Sequence, residues 1–127
     1  MIIGVIDLIL ADATCQGLIS DKVFPVIATQ GVKKPYVTIR RIGESPTINK
    51  QLPSDCDKPI IDIAIFGATY SQSVAISDAI RDVIDDYRGT QSGKTYHRIW
   101  YTNSLDMIDE EDEIAVIIDT YTAEVAR

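Results

Sequence analysis

The sequence predicts an α+β domain: a mostly antiparallel sheet of about four main strands with two helices packed on one face. Three observations carry that expectation. Residues 57–89 read as an alternating strand, a short turn, an amphipathic helix and a glycine stop. Further segments alternate apolar and polar residues with period two. Neighbouring strands are joined by connections too short for parallel crossovers, except across the second helix.

Residues 2 to about 16 suit a helix, with Ile2, Ile6, Ile9, Leu10 and Ala13 on one face and Gly17 at its end. Residues 22–28 form a short extended piece that Pro25 confines to an edge or irregular strand. Pro35 opens a half-buried strand in which Val37 and Ile39 alternate with Thr38 and Arg40. Residues 43–57 (GESPTINKQLPSDCD), turn-rich with two prolines, read as a long loop. In the next strand Ile61, Ile63 and Ile65 share one face, and Asp62, Ala64 and Phe66 take the other.

Thr69 or Ser71 then caps a helix whose Ile76, Ala79, Ile80, Val83 and Tyr87 fall on one stripe, with Gly89 as its stop. Residues 96–102 make a third main strand, 106–113 an acidic connector, and 114–123 the last strand. There Ile114, Val116 and Ile118 are expected to face the helices. Ala115, Ile117 and Tyr121 point away. The open face would carry Phe66, Ile117, Tyr121 and one of Trp100 or Tyr101, and contiguous exposed apolar surface marks a partner site.

With 127 residues, 46% of them hydrophobic, the chain fits one domain spanning 1–127. Its net charge of −7 argues against sequence-independent nucleic-acid binding, which relies on Lys/Arg contacts to phosphates. That charge suits a surface past which DNA slides without being held. Cys15 and Cys56 form no C-x-x-C and are expected as free thiols. The apolar N-terminus lacks a basic flank, and Asp7 and Asp12 interrupt it, so it does not read as a signal peptide. No stretch reaches the roughly 20 apolar residues of a membrane span. A soluble protein made inside a cell is the expectation.

The search for chemistry returns little. His97 is the sole histidine, set among aromatics in a strand, so neither a zinc site nor a Ser–His–Asp triad assembles readily. There is no phosphate-cradling glycine loop. The run from Asp109 to Glu113 lacks the calcium-loop spacing and reads as a solvated turn, with a docking patch or channel lining as intermediate readings. Asp82 and Asp85 sit on a solvated helix face. No catalytic residue, metal ligand or cofactor is expected, and the chain reads as no enzyme.

Several local patterns occur together in order: an N-terminal helix, Val23-Phe24-Pro25, the strand opening Pro35-Tyr36-Val37, and Asp62, Ile63 and Phe66 running into Ala68-Thr69-Tyr70. A helix ending in Asp86-Tyr87-Arg88-Gly89 and two more strands complete the series. In this the sequence resembles the small tail-completion (tail-terminator, or tail-to-head joining) proteins of long-tailed bacteriophages and prophages. The resemblance spans essentially the whole domain and departs most at 43–57 and in the acidic connector.

It implies a ring, commonly a hexamer, that caps the tail tube and joins it to the head–tail connector. DNA passes through the lumen without specific binding. The implied partners are further copies of the chain, the major tail tube protein and the connector, with no membrane and no cofactor. The implied location is the virion tail at the head–tail interface, after synthesis in the host bacterial cytoplasm. On this footing Glu44, Asn49, Lys50, Gln51 and Leu52 of the 43–57 segment, Asp109, Glu110 and Glu111 of the connector, and Phe66 and Tyr121 of the open face are expected to contact neighbours.

Two rival readings stand beside it. One is an enzyme or small-ligand binder, which a buried polar pocket at His97 would favour. The other is a non-phage adaptor that dimerises through its sheet, which mass in solution and gene neighbourhood would distinguish.

Overall fold

A computed structural model of the chain describes residues 2–26, 35–48, 53–91, 93–109 and 114–126. Three helices, α1 (Ile2–Ala11), α2 (Ala13–Ile19) and α3 (Tyr70–Ile84), accompany six strands: β1 (Val23–Pro25), β2 (Tyr36–Ile48), β3 (Pro53–Phe66), β4 (Tyr87–Gln91), β5 (Lys94–Asp109) and β6 (Ile114–Ala126). The strands form one sheet in the order β1-β2-β3-β6-β5-β4. The α+β class agrees with expectation. The counts of four strands and two helices do not, and β1 pairs with β2 in parallel while every other pairing is antiparallel.

The largest departure is the 43–57 segment. It is not a loop: β2 and β3 continue through it as the far half of a long hairpin, paired from Tyr36↔Phe66 to Ile48↔Pro53. Its prolines sit where a ladder tolerates them. Pro46 lies in the outer part of β2, beyond the three residues that β1 covers, beside a register shift, and Pro53 starts a strand. Gly43 follows a second register shift after Arg41. Likewise much of the expected acidic connector is strand, since β5 runs to Asp109 and pairs with β6 as far as Asp109↔Ile114.

The N-terminal helix is interrupted. Asp12 is extended, and its side chain accepts from Cys15 N–H at 3.0 Å, so it caps a separate α2 that runs past Gly17 to Ile19. The fully buried residues of α1 are Val5, Leu8 and Ile9. Of the expected face, Ile9 is among them, Ile6 and Leu10 are partly buried against the core, and Ala13 is exposed. Thr69 caps α3 by accepting from Gln72 N–H, and Gln72 reaches back to accept from Ala68 N–H at 2.7 Å. The helix stops at Ile84, five residues before Gly89, because Asp86 adopts φ 62° and Tyr87 onward joins the sheet as β4.

Ile76, Ala79, Ile80 and Ile84 of α3, with the α1 and α2 apolar residues, cover one face of the sheet. Pairing places Ile65 beside Ile117, Ile63 beside Asp119 and Ile61 beside Tyr121. The odd-numbered residues of β6 therefore face the helices, the reverse of the expected assignment. A signal for this lay in the C-terminal half of the strand, where Thr120, Thr122 and Glu124 alternate with Tyr121, Ala123 and Val125.

Gly4 is a close approach between α1 and β5. A Cβ there would collide with Tyr96 Oη and lie 3.1 Å from its Cζ, and Tyr96 is buried. Gly4→Ala is expected to destabilise by about 1–3 kcal/mol through overpacking. Adding Tyr96→Phe should recover part of that loss in a denaturant-unfolding double-mutant cycle. Additive losses would place the collision elsewhere.

Candidate interaction surface

The face of the sheet opposite the helices is ordered in cross-strand rows. Tyr36, Phe66, Val116 and Met107 align across β2, β3, β6 and β5, and Thr38, Ala64, Ile118 and Leu105 form the next row. The Tyr36 and Phe66 rings stack with centroids 4.7 Å apart. Val26, Thr38, Ala64, Phe66 and Ile118 line a shallow hollow that opens towards Arg40 and Asp62.

Moving along the strands, the face becomes polar. Thr120 Oγ1 donates to Asp62 Oδ1 at 2.8 Å, with Arg40 3.6 Å from the same carboxylate. Beyond it Lys58 lies 3.6 Å from Glu124, and Arg98 sits over the Trp100 ring. One end of the face is thus apolar and the other is laced with exposed ion pairs, which contribute little stability and much orientation.

The apolar end continues onto the overhang of β5, where Leu105 is 52% exposed, Met107 48% and Ile108 74%. On the helix side the overhang meets α3 through Tyr70, whose hydroxyl donates to Asp106 Oδ2 at 3.0 Å; that bond and the nearby negative charge raise the phenol above its usual range. Further in, Asp119 is buried and accepts from Ser77 Oγ and, at 2.7 Å, from Ser104 Oγ. Asp119 therefore ties α3 to β5 across β6, with its oxygens occupied by hydroxyl donors. Arg81 lies 4.0 Å over the Tyr101 ring and 3.6 Å from Asp85, which in turn accepts from Tyr101 N–H.

This architecture has a counterpart among solved structures. A chain of the virion of a native gene transfer agent (GTA) particle matches with a TM-score of 0.79 over 98% of this chain and 93% of that one. The two share one fold. Their sequences are 16% identical, so the likeness carries the fold and leaves roles to be argued from surfaces. No family model and no curated protein matches the sequence.

The residues singled out from sequence distribute unevenly over this fold. Phe66 lies on the open face in the apolar row. Tyr121 does not: it is fully buried under the helices, edge-on to Tyr101 at 5.6 Å, because β6 has the opposite phase. Ile117 is buried there too. Glu44 is in β2 and Asp109 ends β5, with their side chains outside the described residues. Asn49, Lys50, Gln51, Leu52, Glu110 and Glu111 lie outside the described residues altogether.

The two hairpins close at opposite ends of the sheet: the β3–β6 ladder runs from Cys56↔Ala126 to Phe66↔Val116, with the Ile48↔Pro53 pair towards the first end and the Asp109↔Ile114 pair towards the second. Sequence reasoning missed Leu105, Met107 and Ile108, which it left beside or inside a supposed connector. The alternation of Leu105 and Met107 with Ser104 and Asp106 was the available signal.

His97 is exposed at a register shift in β5 and lines neither the open-face hollow nor the cleft between α3 and the β5 overhang. Among the described residues no group of three His, Cys, Asp or Glu is placed to hold a metal ion. No described helix is long and apolar enough to cross a membrane.

Proposed function

We propose that this chain is a structural virion protein of a long-tailed phage or prophage that caps the tail tube as a ring and joins it to the head–tail connector, with no catalytic step of its own. The observation that carries the reading is the shared fold, over 98% of this chain, with a component chain of a gene transfer agent virion. Three surface features support it. The apolar rows of the open face and the β5 overhang offer area for protein partners. The β2–β3 and β5–β6 hairpins close at opposite ends of the sheet, as a joint between two bodies requires. The net charge of −7 lets DNA pass through a lumen without being gripped.

Removing the gene from the genome that carries it tests the reading. Filled heads and separate tails of unregulated length are expected, with joining restored by the wild-type gene in trans. A version in which residues 47–54 are replaced by Asn-Gly leaves a four-residue connection between the paired Pro46 and Asp57 and should fold. It is expected to restore joining in fewer than a tenth of particles (about 1.4 kcal/mol or more of lost association). Joined, infectious particles in the absence of the gene would refute the assignment.

A further inference from the structure

We infer that the outer edge of β5 beyond Tyr101 receives the outer edge of β2 from a second copy of this chain, continuing the sheet from one subunit into the next. The inference rests on the self-associating reading above and names the strands that carry it.

Strand β4 covers β5 only from Lys94 to Ile99. At the end of that cover, Ile99 C=O accepts outward from Asp86 N–H at 2.6 Å and Tyr101 N–H donates outward to Asp85 Oδ1 at 3.0 Å. The register shift between Tyr101 and Asn103 resets the alternation, with Asn103 opposite Thr120 and Ser104 opposite Asp119. Carried through the ladder, this phase turns the backbone groups of Ser104, Asp106 and Ile108 to the outer edge, where no described strand meets them.

The overhang also exposes apolar side chains on both faces: Leu105 and Met107 on the open side and, beyond Ser104 and Asp106, Ile108 on the helix side, all about half exposed or more. An unpaired edge with exposed apolar residues is a pairing template. The outermost strands of the sheet are blunted in the usual ways. β1 has three residues and ends in Pro25, and β4 has five, with a register shift at Gly89. β5 has a register shift only at the start of its uncovered stretch, between Tyr101 and Asn103. From Asn103 to Asp109 its pairing with β6 is regular and its outer edge is long enough to receive a strand.

A second copy fits it through β2. β1 pairs only with Val37–Ile39, leaving the outer edge of β2 without a described strand from Arg40 onward. Following the antiparallel pairings across the sheet, β2 and β5 run in opposite directions, so copies repeated head to tail bring the two edges together antiparallel. The charges are complementary. Arg40 and Arg41 are exposed at the start of the free β2 edge, whereas the β5 edge carries Asp106 and leads into Asp109, Glu110 and Glu111.

Contacts between different edges are heterologous and close into a ring by rotation. The free stretches sit at opposite ends of the sheet, Met107 of β5 in the Tyr36 row and Ser45 of β2 opposite Lys58. Each neighbour is therefore displaced along the strand direction, the same stagger that tilts strands in closed barrels.

Ile108→Pro tests the pairing, because its N–H is directed outward and the inner ladder to β6 does not use it. Ile108→Lys is the companion variant, blocking an incoming strand by charge without altering the backbone. Sedimentation velocity over a concentration series, alone and with tail tubes, is expected to show the wild-type chain assembling. Both variants should associate at least about tenfold more weakly while keeping the wild-type circular dichroism and melting temperature. Amide exchange at Ser104, Asp106 and Ile108 should slow on assembly. Rings that form with these amides still exchanging freely, or variants that assemble like wild type, overturn the edge pairing and leave the ring reading standing. A wild-type chain that never self-associates overturns the pairing as well, and intact particles after gene removal separately remove the ring reading.

Discussion

Tyr121→Ala is expected to destabilise the protein by about 3–5 kcal/mol, a large part of the 5–15 kcal/mol that separates folded from unfolded domains. The side chain is fully buried, flanked by Ile61 on the neighbouring strand and packed edge-on against Tyr101. Truncation removes the ring's burial and leaves a cavity under α3. Had β6 the opposite phase, Tyr121 would lie on the open face and the same change would cost under about 1 kcal/mol. Denaturant unfolding therefore decides which face the strand buries. Tyr121→Phe sharpens the test. Its hydroxyl is buried with no hydrogen-bond partner among the described residues, so removing it should be neutral or stabilising by a few tenths of a kcal/mol. A loss of more than about 1 kcal/mol in Tyr121→Phe would mean that the hydroxyl is bonded after all.

What could be read from the sequence follows from which signals were local. The α+β class, the Ile61/Ile63/Ile65 core row, the Thr69 cap and the buried α3 stripe came from period and capping chemistry within single segments. The 43–57 half of the hairpin was lost because prolines and Gly43 normally punctuate loops, and only the pairing shows that they fall at strand starts, register shifts and an uncovered edge. β6 was assigned backwards because Ile114, Val116, Ile117 and Ile118 make both faces apolar at its start. The buried Asp119 also broke the pattern of the true core face, and its acceptability depends on Ser77 and Ser104 from distant elements. Of the surface, Phe66 was legible. The Leu105/Met107/Ile108 overhang was hidden by its acidic neighbours.

Raising the pH from 8 to 10 is expected to lower stability by roughly 1–2 kcal/mol, from a few buried protons. Burial, with hydrogen bonding to Asp12 and the charges of Asp12 and Asp82, pushes the Cys15 thiol from 9.0 up to about 12. Burial also pushes Tyr96 from 10.0 up to about 12, aided by Tyr87 and Asp7, and raises Tyr121 further. In each case the folded chain holds a proton that the unfolded chain releases. The contribution is therefore complete below the unfolded value, near 9 for the thiol, and is lost as pH rises towards the folded one. Each group steepens the fall by at most about 1.4 kcal/mol per pH unit. Since the thiol begins first, Cys15→Ala should remove more than half of the slope between pH 8 and 10, whatever it costs at neutral pH. The Tyr96 and Tyr121 contributions should persist in that variant and steepen above pH 10. Equal wild-type stability at pH 8 and 10 would mean that the thiol ionises inside the fold, and that Cys15 is reached by water despite its place between α2 and α3.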